Sequence, residues 1–450
     1  MIFPVLEGLM YLDLYSIFKM KRKGHFYIYV VFMLLGFVSG CENLTEDYNY
    51  PDYKNPIKIG VVGDVSVLRE QVENMFFGAQ LASEEINKNG GLEINGETFE
   101  LELIYRNSGG SAEKGVDVCQ ELKDLGVDFI VGPTFSSVAV EMANFCIENQ
   151  MLMMTYSATT PELTYLNDNN LVWRTCPSDA SFGNISAMYC YDSLKVRNAG
   201  ILYRNDRFGQ GLSEIIENMF VEKGGRVWSN ISFPVDQVDI STYNFNYELN
   251  TIFSNPIDIL FIVCFNSEIA AITNRIYNNS YYQALDKKPL LFVNDGVLAE
   301  EILTNGNPEI LETIYGITSV NEDNVNYNTY KNNYINRFGF MPATYSETAY
   351  DAVYCLSYAI MQSESLNPID VAPHIWQISG SRIGQYNPEA VIINVDEFDI
   401  GKNLLLKGDP INYEGASGPL VFDIKGDPFP KMVIWKIKNS QYTEVSYYLM

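Results

Sequence analysis

Histidine is almost missing from this chain: 450 residues carry two, His25 and His374. His25 sits in a leader expected to be removed, which leaves His374 alone. A Ser-His-Asp or Cys-His catalytic set, or a histidine-rich zinc site, then has too few members. Basic residues are scarce as well, with 30 Lys and Arg against 56 Asp and Glu, a formal charge of −26 and a pI near 4.4. Nucleic acid and an anionic bilayer surface would both be repelled, so neither is expected as a partner. No Cys-x-x-Cys occurs. The six cysteines after Cys41, at positions 119, 146, 176, 190, 264 and 355, lie far apart, which argues against metal ligation and leaves any disulfide pairing unassigned. Gly-x-Ser-x-Gly, His-Glu-x-x-His and a phosphate-binding Gly-x4-Gly-Lys-Ser/Thr loop are also missing, and "NVDEFDIGKN" matches a calcium loop poorly. No catalytic residue, cofactor or metal is therefore expected.

An apolar run of about 20 residues, the length of a comfortable membrane span, is lacking too. The run Phe26–Val38 is several residues short of it. It follows Lys21, Arg22 and Lys23 and closes on Val38-Ser39-Gly40-Cys41. A basic segment, a short apolar segment and small residues before a cysteine have the form of a bacterial lipoprotein signal. Residues 1–19 contain Glu7 and Asp13 and add nothing to such a signal, so Met20 is taken as the start. Residues 1–40 are thus expected to be a signal segment, Cys41 the lipidated N-terminus, and the acidic stretch 41–56 a tether. Cleavage leaves 26 Lys and Arg against 54 Asp and Glu.

What is present in quantity is apolar material, 47% of residues with 13% aromatic, enough to build cores for two or three domains. Buried-strand runs ("IKIGVVG", "FELELIY", "VDFIVG", "MLMMTY") alternate with amphipathic helices, one of them with Val72, Met75, Phe76, Ala79 and Ile86 on a single face. Short connections in this order predict a doubly wound, mostly parallel sheet whose ligands sit at the carboxyl ends of the strands. The pattern restarts at "AGILYR", "GRVWSNISF", "IDILFIVCF" and "PLLFVN", with helical stretches near 209–223, 241–253 and 266–279. A second α/β lobe is expected, with a cleft between the two. "ATYSETAYDAVYCLSYAIMQ" reads as a helix, and "GPLVFDIKGDPF" followed by "KMVIWKI" as strand, turn, strand. The stretch "MLMMTYSATTPELT" stands out because a buried strand runs straight into Thr155, Tyr156, Ser157, Thr159 and Thr160. Ser, Thr and Pro are common in turns and caps, but the same hydroxyls at a strand end also suit a polar ligand.

Eight pieces, "IKIGVVGDVS", "GAQLASEEINKNGG", "VDFIVGPTFSS", "LMMTYSATTPELT", "WRTCPSDASFG", "GILYRNDRFGQGL", "ATYSETAYDAVY" and "GPLVFDIKGDP", resemble in order and rough spacing the type I periplasmic solute-binding proteins of the branched-chain amino acid (leucine/isoleucine/valine) family of ABC transporters. The resemblance covers nearly all of residues 57–437. It departs from the family in lacking Gly after Ser66 and in a long segment near Arg382–Tyr413. It implies two Rossmann-like lobes joined by three crossing strands near Pro177, Val320 and Gly415, closing as a hinge on a small ligand. The first lobe would comprise residues 57–177 and 320–414, the second 178–319 and 415–450. Carried over by position, Ser136 and Thr159 supply hydroxyls, and Ser157 a backbone group, to an amino acid's carboxylate. Amides and hydroxyls at a helix N-terminus suit that role. Asp295 would pair with the ammonium, although it equally suits a helix cap. Phe265 would pack over the ligand, although it equally suits the core. The implied function is a lipid-anchored extracytoplasmic binder that delivers an amino acid to an ABC permease. A module signalling to a separate receptor, or a binder of another carboxylate or amide, remains the alternative.

Overall fold

The computed structural model describes residues 54–66, 69–235, 238–297, 300–319, 324–382, 385–429 and 431–448. The expectations for Met20, Cys41 and Val320 lie outside these. Among the described residues no helix is long and apolar enough to cross a membrane.

The first sheet contains β1 (Lys54–Gly63), β2 (Leu92–Ile94), β3 (Glu97–Asn107), β4 (Phe129–Val131), β5 (Leu152–Thr155) and β6 (Val172–Arg174), in the order β2-β3-β1-β4-β5-β6. All pairs are parallel except β2 with β3. β4, β5 and β6 are buried at every position, as expected of parallel strands covered on both faces. Alternation sorts their side chains. Phe129, Val131, Leu152 and Met154 point into one core, shared with the helices Arg69–Lys88 and Ser346–Ser363. Ile130 and Met153 point into the other, under the helices Ala112–Asp124 and Ser136–Glu148. From Ser346 to Met361 every residue of the later helix is buried, because sheet, neighbouring helix and the segment after it enclose it on all sides. Gly78 permits the closest of these approaches: a Cβ there would stand 2.0 Å from the Ser346 carbonyl oxygen.

The second sheet is built from β7 (Asn198–Arg204), β8 (Arg226–Phe233), β9 (Ile259–Val263), β10 (Leu290–Val293) and β11 (Ile314–Thr318), parallel in the order β11-β10-β9-β7-β8. After the helix Ser346–Ser363 the chain forms β12 (Ser381–Arg382) with β13 (Gln385–Tyr386), and β14 (Val391–Ile393) with β15 (Ile411–Gly415) and β16 (Gly418–Pro419). Its Ile393, Phe398, Ile411 and Tyr413 enter the core of the first sheet. The last strands, β17 (Met432–Lys438) and β18 (Gln441–Tyr448), extend the second sheet antiparallel from β11. Ala416, Leu420 and Phe422 still belong to the first core, so the chain passes between the sheets after Phe422 and before Met432.

Two local expectations change. The helix expected over 241–253 begins at Asn246, because the Asp239 carboxylate accepts the Ser241 N–H (3.0 Å) and hydroxyl (2.6 Å) and winds the chain into a turn first. "GPLVFDIKGDPF" keeps a strand only at Gly418–Pro419. Beyond it, the Asp423 carboxylate accepts the N–H groups of Lys425 (2.7 Å) and Asp427 (3.0 Å) and makes a tight turn.

Candidate functional site

Strand order reverses in the first sheet between β1 and β4 and in the second between β7 and β9, and ligands of such sheets sit beyond the carboxyl ends at these points. After β4 the chain turns through Gly132, where φ is +112° and a Cβ would meet the Val62 carbonyl oxygen at 2.1 Å; glycine alone fits. The turn delivers Ser136, buried, as the first residue of the helix Ser136–Glu148.

The hydroxyls after β5 divide into two groups. Thr155 donates to the Pro133 carbonyl (3.0 Å), Ser157 to the Thr134 carbonyl (3.1 Å), and the Tyr156 hydroxyl to the Val62 carbonyl (2.8 Å). Thr160 caps the short helix Pro161–Thr164. Thr155 and Ser157, with the Tyr156 hydroxyl also 3.2 Å from that of Thr134, hold the loop 155–160 against the loop 132–135. Thr159 is different: its carbonyl accepts the Asp179 N–H (2.8 Å) and its hydroxyl lies beside the Asp179 carboxyl. Beneath the loop, the buried Arg174 guanidinium donates to the carbonyls of Thr159 (3.0 Å) and Thr160 (3.1 Å) and pairs with Asp427 at 2.6 Å. Asp64, at the end of β1, accepts the Ser108 hydroxyl and the N–H groups of Gly110 (3.1 Å) and Phe135 (2.8 Å). Burial pushes its carboxyl up and these bonds oppose the shift.

Opposite stand the groups of the second sheet. Phe265 follows β9, and its ring lies parallel to Phe208 (5.4 Å between centroids) and across the seam to Phe135 (6.0 Å). The Arg204 guanidinium covers it at 3.7 Å, itself paired with Asp206 (2.6 Å) and Glu268 (2.7 Å). Asp295 follows β10 and is 5% exposed. One of its oxygens accepts the hydroxyl of Tyr345, the residue before the helix Ser346–Ser363; the other has no partner. Next to it, Asn294 accepts the Cys264 N–H (2.8 Å) through its oxygen, while its amide nitrogen lies beside the Asp295 carboxyl without a well-formed hydrogen bond.

Asp179, which the sequence reading passed over, sits at the first turn of the helix Asp179–Met188 with no exposed surface and no hydrogen-bond partner on either oxygen. Burial raises its carboxyl well above the ordinary range, and the Asp295 carboxyl raises it further. Asp295 is raised by burial as well, against the Tyr345 hydrogen bond. Two enclosed carboxyls thus face one another with three oxygens that accept no hydrogen bond, an arrangement unusual for buried polar groups.

The structure thus brings Thr159, Phe265 and Asp295 to one seam with Asp179, Tyr345 and Phe135. Ser136 opens a helix on its first-sheet wall, and the Ser157 hydroxyl is spent on the scaffold. The family described as the receptor family ligand-binding region matches residues 78–440. The chain belongs to that family. The Leu/Ile/Val-binding protein BraC3 of Rhizobium johnstonii is 35% identical over 162 residues, 35% of this chain and 42% of that one. The chain therefore spans less than half the length of that curated relative. The leucine-binding protein LivK of Thermotoga maritima superposes with a TM-score of 0.69 at 22% identity, over 87% of this chain and 98% of the other. The branched-chain amino acid transporter substrate-binding protein LivJ of Streptococcus pneumoniae, in complex with isoleucine, gives 0.67 at 18% identity, over 88% and 99%. The fold is that of the type I periplasmic binding proteins, two Rossmann-like lobes with the ligand cleft between them.

Proposed function

We propose that this protein binds a free amino acid between its lobes, outside the cytoplasm, and delivers it to an ABC importer. The observation that carries this reading is the pair of buried, under-bonded carboxyls of Asp179 and Asp295. Enclosed in the closed cleft, both cannot remain ionised without a partner cation, and an ammonium supplies one charge and three donors. The α-carboxylate would lie on the other wall, at Ser136, the Thr159 hydroxyl and the backbone at Ser157, at the start of the helix Ser136–Glu148. Phe265, with Phe135 and Phe208, supplies an apolar wall for the rest of the ligand. The lobes, divided near Pro177, near Val320 and between Phe422 and Met432, close on it, and the lipidated Cys41 keeps the binder at the membrane.

Calorimetry on the chain beginning at Cys41 tests the reading. Amino acids should bind, raising stability by about 2.7 kcal/mol at a hundredfold excess over Kd, and the matching deaminated acids should not. Equal binding of both would overturn an ammonium ligand. The family's description as a receptor ligand-binding region favours a second reading, in which the closed form is presented to a separate sensor. Loss of import without loss of binding in a strain lacking the permease separates the two.

A further inference from the structure

The helices Ala112–Asp124 and Ser136–Glu148 each connect parallel strands of the first sheet and cover the same face of it. Three contacts at successive turns fix their register. At the first, Gly115 has no side chain, and Val138 and Met142 fill the space, 2.6 and 3.2 Å from where a Cβ would stand. One turn on, Cys119 lies against Cys146, and neither has exposed surface. One turn further, the Lys123 ammonium donates to the Asn149 carbonyl at 2.6 Å. Cys190, Cys264 and Cys355 each lie in a different core cluster from this pair.

We propose that Cys119 and Cys146 are a disulfide site, joined when the chain folds in an oxidising compartment. The bond would staple the helix that opens on the ligand cleft at Ser136 to its neighbour. The chemistry is thiol–disulfide exchange with a small-molecule or protein disulfide. One thiolate of the pair attacks a sulfur of the oxidant and displaces its first thiol. The second thiolate then attacks the mixed disulfide and displaces the other. The S–S bond forms between Cys119 and Cys146, and the two electrons and two protons leave with the oxidant as two thiols. In the folded protein burial and the hydrogen bond between the thiols both hold Cys146 protonated, Cys119 being the larger cause, so the exchange belongs to folding, before the two helices seal.

The test refolds the full chain in oxidised glutathione, then denatures and alkylates it before peptide mass spectrometry. Cys119 and Cys146 should escape alkylation and appear in one linked peptide pair that reductant separates. Alkylation of both, or linkage of either to another cysteine, overturns the proposal. Reductant should lower the melting temperature of the oxidised wild type by several degrees and leave that of Cys119→Ala/Cys146→Ala unmoved; an equal response in the two would also overturn it. Ligand binding does not enter either measurement, so this test stands or falls apart from the proposed cargo.

Discussion

The two walls of the cleft treat their polar groups in opposite ways. On the first-sheet wall the hydroxyls of Thr155, Tyr156, Ser157 and Thr160 and the carboxyl of Asp64 are bonded to backbone within the wall itself. At the seam, Asp179, Asp295 and Asn294 keep polar atoms without a well-formed hydrogen bond. Buried groups that only build a scaffold are normally paired. On the proposed reading, the groups paired within the wall shape the site and the unpaired ones at the seam meet what enters it.

The largest change should come from breaking the paired wall. Arg174→Met strands the carbonyls of Thr159 and Thr160 and leaves Asp427 a part-buried charge without its cation, and should cost about 3–5 kcal/mol in denaturant unfolding. Next come the unpaired acids. Asp179→Asn and Asp295→Asn should each lower amino acid affinity by about 2–5 kcal/mol, while stability without ligand holds or rises, because a like-charge pair is relieved. Their carboxyls titrate above the ordinary range, and protonation removes the partner of the ammonium. Affinity in wild type should therefore fall as pH drops through their raised values; a flat profile would place the ammonium elsewhere.

A smaller effect is expected away from the cleft, at Asp351, whose carboxyl accepts the N–H groups of Ala416 and Ser417 (both 2.8 Å) and the hydroxyl of Tyr413 (2.8 Å). Asp351→Asn should cost about 1–3 kcal/mol at neutral pH by leaving an N–H without an acceptor. Burial pushes this carboxyl up to about 6 from 3.8. The folded state then binds the proton more tightly than the unfolded one, so the stability gained from Asp351 grows as pH falls from about 6 to 4. The difference in stability between wild type and the Asn variant should change over that interval. Ser157→Ala should be the mildest, about 1 kcal/mol of stability through one lost hydrogen bond.

Much of the architecture was legible because parallel strands covered on both faces are written as unbroken apolar runs, as at "FIV" and "LMMT". What failed were segments where a short acidic side chain competes for backbone donors: Asp239 delays a helix and Asp423 replaces a strand with a turn. At the site, Phe265 and Asp295 could be reached by position, since each ends a strand. Asp179 could not. "PSDASFG" reads as an ordinary helix start, with Ser178 as N-cap and Asp179 as the favourable first-turn acid. Nothing local tells a solvated first-turn acid from one sealed against another carboxyl more than a hundred residues away. Tyr345 is hidden for the same reason, its partner Asp295 lying in the other lobe.

The helix Ser346–Ser363 completes the core of the first sheet, yet it follows the whole parallel part of the second sheet along the chain. Its Tyr350 reaches Glu85 across a separation of 265 residues, and Tyr334, from the helix just before it, reaches Asn74 across 260. Contacts of such high order are slow to form, because the entropy of closing the loop is lost before any contact rewards it. An emerging chain would therefore display the strands of the first lobe for most of its synthesis without the helix that seals them. If the chain is exported as the proposed function requires, that delay would leave the first lobe unsealed, and so easier to thread, while it crosses the membrane.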